Sequence, residues 1–341
     1  MREDPGLDPL AIAECLGRHY GLGVTSVTFL PLGYDLAANV FEVRADDGDA
    51  YFLKVHSGPV NTSALYVPAA LVDLGVPNVL APILTTASDV SCRFVDVANG
   101  PTVVLYPFIR GQSAMVSGLS DAQWRTFGAT LRTVHDTGTG RGWQVGLRVD
   151  SFDLPSASQV RDLSTLVGGT AFEDPVASRL ASFWRDRAGR IDDLIGRAES
   201  LGAALRGRSS ERVPCHGDIH AANVLVAVDG SIRLVDWDAP IIAPRERDLI
   251  FVVGSRIARE VTPREEDLFF GGYGPVEIDP DALAYFRYER IVEDLGEFSR
   301  SALLDLSRAA ATRSEEADQA MRFFAPGGDI DRAEVIPRRR W

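Results

Sequence analysis

Hydrophobic and polar residues follow two different periods along this chain, and the change between them falls near residue 111. Before it, short runs rich in β-branched and aromatic residues, bounded by glycine and aspartate, predict strands at 24–30, 39–45, 50–55 and 103–109. An apolar stretch at 64–74, followed by Gly75, predicts one helix among these strands. The first part of the chain is therefore expected to form a small sheet with one helix.

Beyond this point the apolar residues recur with the period of an α-helix. Ser120 and Gln123 form a capping box that predicts the start of one helix, and residues 174–206 predict a longer one. Helical periodicity resumes after Pro244, and Asp279 followed by proline is a typical N-cap for a further helix. The second part of the chain is therefore predicted to be mainly helical.

The strand signal within the helical part is a hairpin at 224–235, with Asp229-Gly230 as its turn. A strand-rich first part and a helical second part predict an α+β protein with two lobes. We expect an N-terminal lobe at 1–105, a hinge at 106–110 and a C-terminal lobe at 111–341. The functional cleft is expected between the lobes.

Composition agrees with a folded protein, because 45% of the 341 residues are hydrophobic and 24% are charged. No apolar run is long enough to span a membrane, and the first residues lack the apolar core of a signal peptide, so a cytoplasmic location is expected. Cys15, Cys92 and Cys215 lie far apart, without a CxxC pair or a histidine spacing suited to zinc. We expect them to be reduced and mostly buried.

Acidic residues outnumber basic ones by 48 to 35, which gives a net charge of −13. This charge disfavours nucleic acids and anionic membranes as partners and leaves cationic small molecules as candidates. Of the 35 basic residues all but Lys54 are arginine, so Lys54 is expected to do something that a guanidinium cannot. Lys54 lies between Leu53 and Val55 and not in a Walker A motif, which excludes a P-loop NTPase.

The densest polar sequence is His-Gly-Asp-Ile-His-Ala-Ala-Asn at 216–223, directly before the hairpin, and Asp-Trp-Asp follows the hairpin. The hairpin is expected to bring Asp218, Asn223 and Asp236 together. Two carboxylates and one amide are hard oxygen ligands, which suit Mg²⁺ carrying a nucleotide phosphate. Phosphoryl transfer also needs a cation on the phosphates, which Lys54 can supply.

The segments HGDIHAANVL and LVDWD resemble the catalytic loop and metal-binding segment of the aminoglycoside phosphotransferases, a family of small-molecule kinases with the protein-kinase fold. The order of the strand lysine, a crossing segment near 106–109 and these motifs is similar over nearly the whole chain. The resemblance implies a bilobal protein-kinase-like fold, ATP or GTP as phosphate donor, and Mg²⁺ as cofactor. It implies that Asp218 is the catalytic base and that Lys54 holds the α- and β-phosphates. The implied Mg²⁺ ligands are Asn223 and Asp236.

The same resemblance assigns a nucleotide site, with adenine held near the crossing segment. Its residues are Gly33, Tyr106, Phe108 and Ile109. Two features depart from the usual kinase pattern: the nucleotide loop at 32–39 has one glycine instead of three, and no glutamate follows Lys54 on the next helix. Residues 61–63, Asn-Thr-Ser, stand where that glutamate is expected. Lys54 is then expected to be held by Asp236 or by water.

Several polar residues near these motifs are expected to have structural roles. His216 is expected to orient the catalytic loop, and Asp248 with Arg247 to brace it. His19 and His135 end predicted helical segments and are expected to be packing residues.

Two further stretches, 239–251 and 270–295, resemble the branch of this family whose substrate is spectinomycin, a dibasic aminocyclitol. The region 259–300 carries eleven acidic residues and five arginines. It is either a set of solvated helix faces or, in part, a surface that holds substrate ammonium groups.

Within this region, helical spacing places Glu289 and Glu293 on one face, and both are expected to contact the substrate. Asp294 is expected on a different face, together with Arg290. Asp238 is assigned as a third substrate contact, with support of the metal site as the alternative.

These observations predict a kinase that transfers the γ-phosphate of ATP to a hydroxyl of a cationic aminoglycoside or aminocyclitol antibiotic and so confers resistance. One alternative is a kinase of the same fold acting on choline, a hydroxy amino acid or a sugar. Another is a nucleotide-binding pseudokinase, which the intact catalytic motif disfavours. The expected partners are a nucleoside triphosphate and a cationic small molecule, with no nucleic acid and no membrane, and the chain is expected to be a monomer or dimer.

Overall fold

A computed structural model describes residues 4–31, 38–94, 100–138 and 146–335. An antiparallel sheet with two helices forms the first part of this structure, and a mainly helical body forms the second. The mixed α+β architecture predicted from the sequence is therefore observed.

The sheet of the first part contains five strands. They are β1 (Val24–Leu30), β2 (Ala38–Ala45), β3 (Ala50–His56), β4 (Cys92–Arg93) and β5 (Thr102–Pro107). Their spatial order is β1-β2-β3-β5-β4, and every neighbouring pair is antiparallel. Helix α1 (Pro9–Tyr20) precedes the sheet, and helix α2 (Thr62–Asp73) connects β3 to β4.

Alternation along β3 separates a buried face from a face that lines a cavity. Leu53 and Val55 pack in a buried cluster with Ile12 and Leu16 of α1. Lys54 points to the opposite face, where it lines the cavity described below. Because β3 pairs with β2 on one side and β5 on the other, Lys54 lies on a rigid central strand, as predicted.

The helical body is larger. Its helices are α3 (Ala114–Ser117), α4 (Asp121–Asp136), α5 (Ser156–Gly169), α6 (Pro175–Arg206), α7 (Glu246–Leu249), α8 (Pro263–Tyr273), α9 (Pro280–Leu304), α10 (Ala310–Arg322) and α11 (Asp329–Arg332). Its short strands are β6 (Gly111–Ser113), β7 (Val213–Cys215), β8 (Val224–Ala227), β9 (Ile232–Leu234) and β10 (Ile241–Ala243). Strands β6, β8 and β9 form one small antiparallel sheet, and β7 pairs with β10 in another.

One continuous cluster of apolar side chains holds this body together. Phe127 of α4, Trp184 of α6 and Phe286 of α9 are each almost fully buried in it. Burial of such large side chains is the main source of stability for a helical body that has few strand pairings. Among the described helices, none is both long and apolar enough to cross a membrane.

Two glycines allow α4 and α8 to cross at close range. A Cβ atom at Gly128 of α4 would clash with the carbonyl oxygen of Phe269, and one at Gly272 of α8 would clash with that of Arg125. Backbone therefore packs directly against backbone at this crossing, which only glycine permits.

Most of the predicted elements are present, and the differences have identifiable causes. The capping box of Ser120 and Gln123 begins α4 as predicted. Helix α1 ends beside His19, as expected, although the sequence pattern predicts no start for it, and α5 is not predicted. Strand β5 ends at Pro107, two residues earlier than predicted, because its partner strand β3 begins at Ala50 and offers no residues for a longer ladder. Residues 250–262 form turns, so the helical region after Pro244 is not continuous. The lobe limits at 105 and 111 stay predictions.

Gly128→Ala is expected to lower the free energy of unfolding by about 1–3 kcal/mol, because the added methyl group must push α8 away from α4. Gly189→Ala is the matched control, since Gly189 is exposed in the middle of α6 with open space around it. That control is expected to raise the free energy of unfolding by up to about 1 kcal/mol. Urea unfolding of both variants measures the difference, and equal values for the two would contradict the close crossing.

Candidate active site

The catalytic-loop motif lies between β7 and β8, where it approaches the segment that follows β9. Gly217 adopts a φ of +84°, and a Cβ atom there would clash with the carbonyl oxygen of Ala239. Asp236 has a φ of +64°, which is unusual for a residue other than glycine. The two loops are therefore in backbone contact, and this contact brings Asp218 and Asp236 to the same site.

A buried carboxylate anchors the loop from behind. Asp248 has no exposed surface, and its two oxygens accept hydrogen bonds from the backbone N–H groups of His216 (2.9 Å) and Gly217 (2.8 Å). His135 Nε2 lies 3.0 Å from the same carboxylate, and its Nδ1 lies 2.7 Å from the Tyr273 hydroxyl. Burial acts to raise the pKa of Asp248, but the bond to His135 and nearby histidines outweigh it, and the net shift is downward. Asp248 thus braces the loop, as predicted.

His216 is a structural residue, as expected. Its Nε2 lies 2.9 Å from the carbonyl oxygen of Val235, and its ring packs against Trp237 with centroids 4.4 Å apart. Burial lowers the pKa of His216. The imidazole therefore joins the two loops without adding a charge beneath them.

Both carboxylate oxygens of Asp218 are engaged by basic side chains. Arg290 of α9 donates a hydrogen bond to Oδ1 at 2.8 Å, and His220 Nε2 lies 3.4 Å from Oδ2. Burial acts to raise the pKa of Asp218, but His220 and the charge of Arg290 outweigh it and lower that pKa. Asp218 is therefore ionised and oriented at neutral pH, as a proton acceptor must be.

Asn223 and Asp236 present oxygen atoms beside this carboxylate. The Asn223 amide nitrogen donates to the backbone carbonyl oxygen of Asp218 at 2.8 Å, which leaves the amide oxygen for another partner. Asp236 Oδ1 lies 3.3 Å from Lys54 Nζ. An amide oxygen and a carboxylate are the donor set that Mg²⁺ prefers, so these residues fit the ion implied by the sequence.

The structure shows what replaces the missing glutamate partner of Lys54. Lys54 is held by Asp236, one of the two possibilities expected from the sequence. Burial acts to lower the pKa of Lys54, but Asp236 and Asp238 raise it above its usual value. Asn61, at the start of α2, donates from its amide nitrogen to the carbonyl oxygen of Asp238 at 3.2 Å. Helix α2 is therefore tied by an amide to the segment that follows β9.

A cavity of about 450 Å³ lies between the sheet and the helical body, and Lys54, Asn223 and Asp236 line it. Asp238 lines the cavity beside these three residues. The apolar walls include Tyr106, Phe108 and Ile109, which the sequence assigned to adenine binding. The assigned Gly33 lies outside the described residues. The cavity thus joins a flat apolar slot to a charged end, as a nucleotide requires.

A second cavity, of about 480 Å³, begins on the other side of the catalytic loop. His220 and Ala222 line it, and Ala222 also lines the first cavity, so the two meet at this loop. Helix α9 forms one wall with residues spaced three or four apart: Arg287, Arg290, Asp294 and Phe298. We refer to it as the acceptor cavity.

This arrangement corrects the predicted orientation of α9. Asp294 and Arg290 line the acceptor cavity, whereas Glu289 is nearly buried in an ion pair with Arg247. Glu293 is half-buried and is not among the residues lining either cavity described above, and Asp238 lines the nucleotide cavity. Helical spacing gave the relative positions correctly, but it does not say which stripe faces a cavity. Substrate contacts by Glu289, Glu293 and Asp238 stay predictions.

Arg290 is the site residue that sequence reasoning missed. It donates to Asp218 at 2.8 Å and to Asp294 at 3.0 Å, and so connects the catalytic loop to α9. The four-residue spacing of Arg290 and Asp294 predicts an ion pair within the helix. The contact with Asp218 spans 72 residues and follows only from the fold.

Comparison with known proteins identifies the family. Residues 28–286 match the phosphotransferase enzyme family. The chain belongs to this family. A comparison with curated proteins found no match. Among solved structures, this phosphotransferase is similar to spectinomycin phosphotransferase APH(9)-Ia in complex with ADP and spectinomycin, with 28% sequence identity and a TM-score of 0.83. The alignment covers 97% of this chain and 98% of that one.

More distant phosphotransferases share the fold. An amicoumacin kinase in complex with AMP-PNP and Ca²⁺ is 17% identical, with a TM-score of 0.61 over 92% of this chain and 93% of that chain. A macrolide 2′-phosphotransferase from Brachybacterium faecium is 18% identical, with a TM-score of 0.52 over 98% and 99%.

These comparisons confirm the kinase-like bilobal fold and the resemblance to spectinomycin phosphotransferases. They also confirm an ATP-dependent phosphotransferase, so the pseudokinase alternative is set aside. The neighbours bound to ADP, AMP or AMP-PNP support nucleotide use. The cytoplasmic location, the oligomeric state and the absence of nucleic-acid partners stay predictions.

Lys54→Arg is expected to lower kcat/KM for ATP roughly 100-fold, because a longer planar guanidinium cannot occupy the position of an ammonium 3.3 Å from Asp236. The reverse exchange, Arg44→Lys on the exposed side of β2, is the control and is expected to leave turnover unchanged. ADP release at several ATP concentrations measures both. Near-normal kinetics of Lys54→Arg would show that the single lysine has no special role.

Proposed function

We propose that this phosphotransferase moves the γ-phosphoryl group of ATP to a hydroxyl of a cationic aminocyclitol such as spectinomycin. The observation that carries the proposal is the meeting of two cavities at Ala222 of the catalytic loop, one suited to a nucleotide and one lined by a carboxylate of α9. The similarity to the spectinomycin phosphotransferase structure over nearly its full length supports the choice of substrate.

The donor side of the reaction uses the groups around Lys54. The Lys54 ammonium is assigned to the α- and β-phosphates, and Asn223 and Asp236 are assigned as the ligands of Mg²⁺. When bound, the ion neutralises charge on the phosphates during transfer. The flat apolar slot beside Tyr106 and Phe108 takes the base. ATP is the proposed donor, with GTP as the alternative for this slot.

The acceptor side depends on Asp218. An ionised carboxylate within reach of the acceptor hydroxyl takes its proton as the oxygen attacks the γ-phosphorus. Arg290 is assigned as a positioning residue, because its bond to Oδ1 fixes the rotation of the carboxylate. Oδ2, which His220 also approaches, is the oxygen assigned to the hydroxyl. His220 Nε2 lies 3.4 Å from Oδ2 and helps to keep the carboxylate in its charged form.

The cationic acceptor is assigned to Asp294, one of two carboxylates that, among the described residues, line the acceptor cavity together with four arginines. Burial raises the pKa of Asp294 to about 6 in spite of Arg290. Because this pKa is still below 7, most of the carboxylate is ionised at neutral pH. Its side chain lines the acceptor cavity. An ammonium group on the acceptor would pair with it. Glu289 is engaged by Arg247, and its assignment as a contact requires that this pair open.

A choline-type cation is the second candidate. Phe298 and Phe323 both line the acceptor cavity, and their rings are stacked with centroids 6.4 Å apart. Aromatic faces attract quaternary ammonium groups. A sugar or a neutral alcohol has no such group, so these rings favour choline over them.

Release of ADP from ATP and Mg²⁺ in the presence of a substrate panel tests the proposal. The panel contains spectinomycin, other aminoglycosides, choline and a neutral sugar. Spectinomycin is expected to give the highest kcat/KM, and Asp218→Ala is expected to lose at least about 100-fold in kcat while it still binds ADP in calorimetry. Higher activity on choline would favour the second candidate, and activity on the neutral sugar alone would contradict a cationic acceptor.

Arg290→Met is expected to move the acidic limb of the kcat/KM profile to higher pH. The guanidinium favours the charged form of Asp218, so its removal lets burial raise the pKa of that carboxyl. Below the raised pKa the base is protonated and turnover is lost. Arg290→Lys keeps the charge and is expected to restore most of the original profile. A limb unchanged in Arg290→Met would show that the residue has only a packing role.

A further inference from the structure

The fold brings together two cysteines and a histidine whose spacing in the sequence does not match a zinc-binding motif. Cys15 and His19 are four residues apart on α1 and so share one face of that helix. Cys92 begins the edge strand β4, which the sheet places against α1. The two sulfur atoms are 3.9 Å apart, and the ligand atoms of all three residues lie within 4.8 Å of one another.

This geometry suits a shared metal ion. Two sulfurs bound to one tetrahedral zinc at about 2.3 Å each lie about 3.8 Å apart, close to the observed separation. A disulfide requires about 2.05 Å between the sulfurs, roughly half of it. Two thiolates and an imidazole are soft donors that select zinc-type ions over Mg²⁺ or Ca²⁺.

A second observation at the same place is a buried polar atom. The hydroxyl oxygen of Tyr20 is buried beside the Cys92 side chain and the backbone of Leu105, where no described group forms a well-aligned hydrogen bond with it. Burial raises the pKa of this phenol, and Cys92 and then Cys15 raise it further, so the hydroxyl lies beside both sulfurs. A metal-bound thiolate is a good acceptor, and it would satisfy this O–H group.

The surrounding backbone holds the three side chains in place before any ion binds. Gly21 ends α1 in the left-handed conformation, and Thr86 donates to the carbonyl oxygen of His19 from both its N–H (2.8 Å) and its hydroxyl (3.2 Å). Cys15 is buried in the cluster that also contains Leu53 and Val55. The cluster therefore lies on the face of β3 opposite Lys54, away from the nucleotide cavity.

We propose that Cys15, His19 and Cys92 bind one zinc-type divalent cation, which clasps α1 to the edge strand β4. The hydroxyl of Tyr20 supports the bound thiolates, and water completes the coordination. The site is structural, since none of its ligands lines the nucleotide or acceptor cavity. The other histidine–cysteine–carboxylate group, His135 with Cys215 and Asp248, needs no ion, because both nitrogens of His135 already have partners.

Cobalt titration of the full-length protein tests this proposal. The protein is reduced, stripped of metal with a chelator and titrated with Co²⁺ as a spectroscopic substitute for zinc. One equivalent is expected to give an intense sulfur-to-cobalt charge-transfer band. Cys15→Ala and Cys92→Ala are expected to lose the band, and His19→Ala to weaken binding at least about tenfold. Cys215→Ala removes the third cysteine and is the matched control, which is expected to keep the whole spectrum.

A measurement on the unmodified chain avoids dependence on variants that fold poorly. Zinc added to the stripped wild-type protein is expected to raise the Tm, and a chelator to reverse the rise. The proposal is overturned by absence of the band in reduced wild-type protein, or by its survival in both cysteine variants. A Cys15–Cys92 disulfide found by peptide mapping of freshly purified protein would also overturn it.

Discussion

The active site depends on one buried carboxylate. Asp248 has no exposed surface, yet it is charged because two backbone N–H groups of the catalytic loop and a histidine stabilise that charge. A buried charge without such partners would cost several kcal/mol, so loop and carboxylate hold each other in place. The loop then fixes Asp218, and its contact at Gly217 brings the segment of Asp236 alongside. A rigid backbone of this kind keeps reacting groups within catalytic tolerance.

The charged side chains of the site form ion pairs between different structural elements. Lys54 from the sheet meets Asp236 from the loop after β9, and Arg290 from α9 meets Asp218 from the catalytic loop. Each pair joins parts of the chain that are distant in sequence. Since these charges have partners before a ligand binds, charged ligand groups would enter by exchange of partners, which costs less than burial of a new charge.

The role of α9 shows how one helix serves two purposes. Its stripe at Arg287, Arg290 and Asp294 lines the acceptor cavity, while Glu289, one position away, is buried against Arg247 inside the body. Some acidic side chains of this region therefore stabilise the helical body, and others line the cavity. Net charge does not say which carboxylate faces the cavity, because that is set by the rotation of the helix about its axis.

The sequence by itself determined the four long strands of the first sheet, the hairpin, the longest helices, the catalytic loop and the place of Lys54, because period, caps and motifs are local properties. It also led to the correct family. Tertiary structure alone decided the partner of Lys54, the contact of Arg290 with Asp218, and the meeting of Cys15 with Cys92. These contacts join residues separated by 182, 72 and 77 positions. No local pattern records such a pairing, because it depends on how packed elements are placed and turned by the core.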